Sequence, residues 1–241
     1  MRLNPSSLPA RSDLVEATYR VLLDAITDGS LIPGERITQE EIAEQLHISR
    51  SPVLQALRLL KKDGFIRDAP GRGVQVADLD VVWFGKLYDV RGALDALAAK
   101  LAAQGRKRID PALIAQGRLA SQGDDLPAII DADLAFHNAI YTASDNPLIE
   151  ENAHRYWMHL RRVMGMVHRT VKHRASLWDE HQAIADAIAQ GDGERAVMLS
   201  DLHISRAKAN LIGELGKITS PVDSVPDSTQ VRMETDSPAA R

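Results

Sequence analysis

Leu14, Thr18, Val21, Leu22, Ala25 and Ile26 recur at helical spacing and Gly29 ends the run. The spacing predicts a helix over 13–28 with those side chains on one face. A turn and a short apolar, strand-like piece ending at Ile37 follow. Thr38-Gln39-Glu40-Glu41 has the spacing of a capping box, with Glu41 at the reciprocal position, so the next helix is predicted over 39–46. His47-Ile48 makes a tight turn, Ser49 or Ser51 caps a third helix, and Pro52 fits its first turn. That helix points Val53, Ala56, Leu57 and Leu60 inward and stops at Lys61-Lys62-Asp63-Gly64. Two short apolar pieces, 65–68 and 74–76, flank Ala69-Pro70-Gly71-Arg72-Gly73 and read as a hairpin. Three helices and a hairpin in this order are the plan of a winged helix-turn-helix.

Beyond a short linker at 77–80 the pattern is helical throughout. Helices are predicted over 82–104, 111–121, 126–144, 147–170, 176–190 and 194–215, with breaks at Asn146-Pro147 and Gly191-Asp192-Gly193. The expected fold class is mainly α: an N-terminal winged helix-turn-helix followed by an all-α bundle of six or seven helices. The domain plan is a flexible N-terminus over 1–12, a winged helix-turn-helix unit over 13–78, an all-helical unit over 79–216, and a disordered tail over 217–241. The tail is rich in Ser, Pro and Asp, which cannot bury a core.

Composition agrees with this plan. Aromatics are only 4% of the 241 residues, which favours aliphatic helix packing over a β-sandwich. Cysteine is absent, which excludes disulfides and thiolate chemistry and suits a reducing cytoplasm. No apolar run approaches a membrane span and the N-terminus lacks a signal-peptide core, so a soluble, cytoplasmic protein without membrane association is expected.

The net charge of -4 does not favour nucleic acid, yet only the local face matters, because exposed charges are screened within about 8 Å. Between residues 50 and 72 six cations (Arg50, Arg58, Lys61, Lys62, Arg67, Arg72) face two carboxylates, Asp63 and Asp68. The third helix opens Ser49-Arg50-Ser51, whose amides and hydroxyls suit phosphates, and Arg50 suits a phosphate or guanine. Gln55, further along the helix, suits adenine. Arg72 between Gly71 and Gly73 is a cation on a tip that can approach a groove closely. With Arg36, Gln39 and Arg58 these residues form the expected contact set for double-stranded operator DNA.

Gly29-Ser30-Leu31-Ile32-Pro33-Gly34-Glu35-Arg36-Ile37, Glu41-Ile42-Ala43-Glu44-Gln45-Leu46, Ser49-Arg50-Ser51-Pro52-Val53 and Ala56-Leu57 together resemble the N-terminal signature of GntR-family regulators. Two departures stand out. Leu54-Gln55 replaces the usual Arg-Glu, which removes a cation that in relatives often touches DNA and points to an unusual operator. His47 stands where Gly is common, a position that needs positive φ. The rest of the chain resembles the FadR-like helical ligand domain called FCD. The matching pieces are Tyr88-Asp89-Val90-Arg91 with Asp95, Asp133-Leu134-Ala135-Phe136-His137 with Asn146, Glu180-His181-Gln182-Ala183-Ile184 with Ala187-Ile188, then Asp192, Ala196 and His203. Asp95 replaces the more usual Glu.

Asp133 and His137 are one helical turn apart and share a face, while His181 and His203 sit among apolar residues on two later helices. Converging, the four would suit a divalent ion such as zinc or nickel. The family's metal-binding members use this pattern, and the resemblance implies the same role here. The alternative is a set of ordinary core histidines in a metal-free regulator. A metal-dependent hydrolase is a third reading, weakened by the missing general base and the intact DNA reader, so no catalytic residues are expected. Arg91 either grips an effector carboxylate or pairs with Asp95 one turn on, with Asn146 and Arg162 as further effector contacts. His154, His159, His168 and His173 read as surface or pocket-rim residues. The expected function is a homodimeric repressor released from DNA by a small organic acid.

Overall fold

A computed structural model describes residues 11–167 and 175–219. The elements are α1 (Arg11–Asp28), β1 (Arg36–Ile37), α2 (Gln39–Gln45), α3 (Arg50–Lys62), β2 (Ile66–Asp68), β3 (Val74–Val76), α4 (Val81–Gln104), α5 (Pro111–Ala120), α6 (Leu126–Ala143), α7 (Pro147–Val167), α8 (Ala175–Gln190) and α9 (Gly193–Thr219). The fold class is the expected one, with α4–α9 forming the second, all-helical layer.

Local chemistry explains most of these boundaries. Thr38 and Glu41 form the capping box: the Glu41 amide donates to Thr38 Oγ1 at 3.3 Å and the Thr38 amide to Glu41 Oε2 at 2.8 Å. His47 adopts φ 52, the left-handed conformation the turn between α2 and α3 demands. Asp80 starts α4 by accepting from the amides of Val82 and Trp83 at 2.8 and 3.1 Å. Asp110 and Asp125 cap α5 and α6 in the same way, each before a proline in the first turn. Ser49 is the N-cap of α3 but its side chain makes no capping bond.

Three features depart from the sequence reading. The strand-like piece ending at Ile37 is a strand, as expected, but it joins the hairpin: β3 lies between β1 and β2 with Arg36 opposite Gln75 and Ile37 opposite Val74. Gly73 makes that pairing possible: a Cβ there would lie 2.7 Å from the Ile37 carbonyl oxygen, and its φ is +91°. The inward face of α1 is Thr18, Leu22, Leu23 and Ile26, whereas Leu14 and Val21 face outward. Finally, α9 continues past the expected end at Leu215 to Thr219.

The reader's core gathers Leu22, Ile26, Ile42, Val53, Leu57, Leu60, Phe65 and Val76. A larger core built from α4 to α9 includes Phe84, Phe136, Tyr141, Trp157, Trp178 and Ile188. Helix α7 joins the two. Its Met158 packs against the reader core, and the His159 ring stacks on Phe65 with centroids 4.1 Å apart and meets the Trp83 edge at 4.8 Å. Arg162 donates to the Ala77 carbonyl of the linker. His159 is therefore a wedge between the N-terminal unit and the helical bundle rather than a surface or pocket-rim residue. His154 is exposed as expected, and His168 and His173 lie outside the described residues.

Candidate functional site

Helix α3 exposes the candidate DNA-contact side chains while burying Val53, Ala56, Leu57 and Leu60 beneath them. Ser49, Arg50, Ser51, Gln55 and Arg58 are exposed along it, and Arg36, Gly71, Arg72 and Gly73 are exposed on the wing side. Arg50 pairs with Glu40 at 3.0 Å in the open, a contact worth at most about 1 kcal/mol that a phosphate can replace. Gln39 is half-buried and donates to the Arg50 carbonyl at 2.6 Å, so it braces the start of α3. The uncapped amides at Ser49 leave that end of α3 open to an anion.

The second site lies where α4, α6, α8 and α9 meet. Helix α6 supplies Asp133 and His137 from one face, α8 supplies His181, and α9 supplies His203, all buried. The ligand atoms of the three histidines lie within 4.8 Å of one another. His181 Nε2 and His203 Nε2 are 3.3 Å apart. Two nitrogens bound to one zinc ion at about 2.0–2.1 Å in a tetrahedral shell are separated by roughly 3.3 Å, so this spacing fits. Asp133 Oδ1 lies 3.4 Å from His181 Nε2 and 3.9 Å from His137 Nε2, and makes no hydrogen bond. A buried carboxylate oxygen without a partner is costly unless a cation meets it. The donor set therefore fits a borderline divalent ion.

The next layer orients these rings. His203 Nδ1 lies 2.9 Å from Glu180 Oε2, and a carboxylate can only accept, so Nδ1 carries the proton and Nε2 presents its lone pair to the cluster. His181 is stacked on Phe136 at 4.1 Å and edged by Trp178 at 4.7 Å. His137 Nδ1 faces Asp95 Oδ2 at 3.4 Å, while Arg91 donates to its Nε2 at 2.9 Å. Arg91 is itself buried, ion-paired with Asp95 at 3.2 Å and laid over the Trp157 ring at 4.1 Å. Tyr141 donates to Asp95, and Trp157 Nε1 donates to the Tyr141 hydroxyl at 3.1 Å.

Burial holds the imidazoles of His137 and His181 well below their usual pKa, reinforced by Arg91 and the neighbouring rings, so both are neutral donors. Burial raises Asp133 and Asp95, an effect Arg91 opposes. It also pushes Tyr88 up to about 12. The Arg91 guanidinium resists its own burial and stays charged because Asp95, Tyr141, Tyr88 and Asp133 surround it.

Asp133, His137, His181, His203 and Arg91 thus come together. Asn146 and Arg162 do not join them. The Asn146 carboxamide accepts from the Leu148 amide at the start of α7, and Arg162 is bound to the linker, where burial lowers its pKa to about 10. Tyr141, Trp157 and the orienting role of Glu180 were missed. Glu180 directly precedes His181, but nothing local shows that its carboxylate serves His203.

Fold and site together define a transcriptional regulator: a DNA-binding winged helix-turn-helix coupled to a helical domain with a buried polar centre. Residues 14–76 match the family described as "Bacterial regulatory proteins, gntR family", and residues 86–206 match the FCD domain. The chain belongs to the GntR family, in the FadR-like group that carries an FCD domain. It is 27% identical over 221 residues to the HTH-type transcriptional regulator LutR of Bacillus subtilis, covering 78% of this chain and 96% of that protein. It is 24% identical over 184 residues to the "Probable D-xylose utilization operon transcriptional repressor" of Paenarthrobacter nicotinovorans, covering 75% and 80%. Its fold is similar to the solved structure of McbR/YncC from E. coli, with a TM-score of 0.71 at 21% identity over 84% of this chain and 98% of that one. These relatives are regulators rather than enzymes. Among the described residues no helix is long and apolar enough to cross a membrane.

Proposed function

We propose that this chain is a homodimeric repressor in the cytoplasm that leaves its operator when a small organic acid binds beside a divalent cation, zinc or nickel. The observation that carries the reading is the convergence of three buried imidazoles, two of which, His181 and His137, lie close to the unpartnered Asp133 oxygen. Asp133, His137, His181 and His203 would hold the cation, which supplies Lewis-acid attraction for a carboxylate. Arg91, kept charged beside Asp95, offers the same carboxylate a bidentate fork. Ser49, Arg50, Ser51, Gln55, Arg58 and the Gly71-Arg72-Gly73 tip are the operator contacts. Trp83, Val90 and Leu97 recur every seven residues on α4 with 42%, 46% and 43% exposure, an apolar stripe suited to a second copy.

Helix α7 supports the link between the two sites. Trp157 lies under Arg91 and against His137, while His159 and Arg162 on the same helix hold Phe65 and the Ala77 carbonyl. A shift of Arg91 towards an acid moves the helix on which the reader is seated. Two readers then no longer match half-sites about one DNA turn apart. Selection of bound duplexes from a randomised pool, followed by titration of the selected duplex with a panel of carboxylates in the presence of Zn2+, tests this. Enrichment of a two-fold-symmetric site whose binding weakens with one acid is the expected result. An enriched duplex indifferent to every acid would end the sensing reading and leave the DNA reader standing.

The seat itself is pH-sensitive. Burial between Phe65 and Trp83 lowers the His159 pKa to about 4, against about 6.5 in an unfolded chain. The undocked state binds the proton more readily, so the contribution of His159 is complete above pH about 6.5 and is lost as pH falls towards 4. Limited proteolysis at the 77–80 linker is expected to accelerate over that window in wild type. His159→Phe, which keeps the stack but cannot titrate, should flatten the profile.

A further inference from the structure

Arg91 makes a contact inside the histidine cluster that bears directly on how a cation could bind there. The guanidinium has only donors, so His137 Nε2, 2.9 Å from Arg91 Nη2, accepts through its single in-plane lone pair. The other ring nitrogen, Nδ1, faces Asp95 Oδ2 at 3.4 Å and is engaged there. Nε2 is the nitrogen that faces Asp133 Oδ1, at 3.9 Å. A ligating His137 would need that same lone pair. One lone pair cannot serve both a guanidinium proton and a metal ion.

We infer that Arg91 is a resident competitor for the metal-binding lone pair of His137, so that cation binding releases the guanidinium from His137 and makes it available to an acid. This rests on the metal reading above and adds an order to it: cation first, acid second. The released side chain is not lost from the site. Its Nε stays within 3.2 Å of Asp95 Oδ2, and its plane stays tethered over Trp157 at 4.1 Å and near Tyr88 at 5.6 Å. What it loses is an acceptor for one N–H in a buried place, and a carboxylate oxygen replaces that acceptor. A second positive charge beside the first also favours an anion as the next ligand. By reciprocity, an acid that holds Arg91 away from His137 tightens the cation.

The test is Zn2+ affinity of the full-length protein, measured by competition with a chromogenic chelator, in wild type, Arg91→Gln, Arg91→Gln with Asp95→Asn, and His181→Ala. The double variant removes the buried carboxylate that Arg91→Gln alone would strand, so it keeps the test valid if the single variant is poorly folded. Removing the competitor is expected to tighten Zn2+ by about tenfold or more in both, the ratio set by a hydrogen bond to a charged donor. His181→Ala should bind far more weakly than wild type. If wild type binds Zn2+ through His181 but neither Arg91 variant binds more tightly, the competition is wrong and the metal site stands. If wild type does not bind, or His181→Ala binds as well, the metal reading and this inference both fall. Tighter binding could also come from simple charge removal, so a second readout is needed. In 5-fluorotryptophan-labelled protein, the 19F resonance of Trp157, one of three tryptophans, should move on Zn2+ addition in wild type and move much less in Arg91→Gln. An equal movement in both would overturn displacement.

Discussion

His181→Ala is expected to weaken zinc binding more than about a hundredfold, the largest loss of any substitution in the buried centre. His181 is fully enclosed, and its Nε2 is the nitrogen nearest both His203 Nε2, at 3.3 Å, and the unpartnered Asp133 oxygen, at 3.4 Å. Its ring is fixed by Phe136 on one side and Trp178 on the other, so no neighbouring donor can swing into its place. Glu180→Gln gives the graded comparison. A glutamine carbonyl can still accept from His203 Nδ1, yet it loses the charge that strengthens the imidazole as a donor. A loss of about ten- to a hundredfold is expected there. Native mass spectrometry of wild type and both variants in Zn2+ measures the ordering, with circular dichroism confirming that each remains helical. Equal zinc content in all three would remove His181 from the ligand set and return the histidines to ordinary core packing.

The fold was largely legible because its signals are local. A capping box needs only Thr38 and Glu41, and the tight turn at His47 needs only a residue that tolerates positive φ. The Asp133/His137 pair was legible for the same reason, since one helical turn puts both on a face. Features resting on distant partners were hidden. Arg36–Ile37 carries no sign that β3 will pair with it, because the match is made by Gly73 far along the chain. The rotation of α1 is set by where Phe65, Val76 and α7 leave room, so Leu14 and Val21 fit the spacing and still face outward. His159 reads from sequence as a surface or pocket-rim residue and Arg162 as an effector contact. Their partners Phe65, Ala77 and Trp83 belong to the N-terminal unit, the linker and the start of α4, and a helical wheel of α7 does not contain them. Arg91 showed both of its possible contacts only in part. The ion pair with Asp95 is one turn away and readable, whereas the bond to His137 depends on α4 packing against α6.

Gly117→Val is expected to destabilise the FCD domain by about 3 kcal/mol or more, although glycine lowers the propensity of a helix interior. Removing a mid-helix glycine gains at most about 1 kcal/mol of helix propensity. Against that gain stands Trp178: a Cβ on Gly117 would lie 1.9 Å from Cη2 and Cζ2 of its indole, inside any tolerable contact. The indole is buried and cannot rotate away without striking His181 or Phe136, whose rings lie 4.7 and 6.3 Å from it. Nor can α8 retreat freely. Arg118, next to Gly117, donates to the Trp178 carbonyl at 3.4 Å and pairs with Asp179 at 2.7 Å. The clash therefore outweighs the propensity gain, and the strain reaches the histidine cluster through His181. Thermal unfolding followed by circular dichroism should show a midpoint lower by roughly 6–12 °C, with weaker retention of Zn2+. Gly117→Ala should give a smaller loss in the same direction. Trp178→Leu leaves a cavity on its own, yet combined with Gly117→Val it should recover part of the lost stability, because the added methyl groups enter the space the indole vacates. A Gly117→Ala protein that melts at or above the wild-type temperature would mean that α5 and α8 are not held this closely, and that glycine at this position does not set the position of His181.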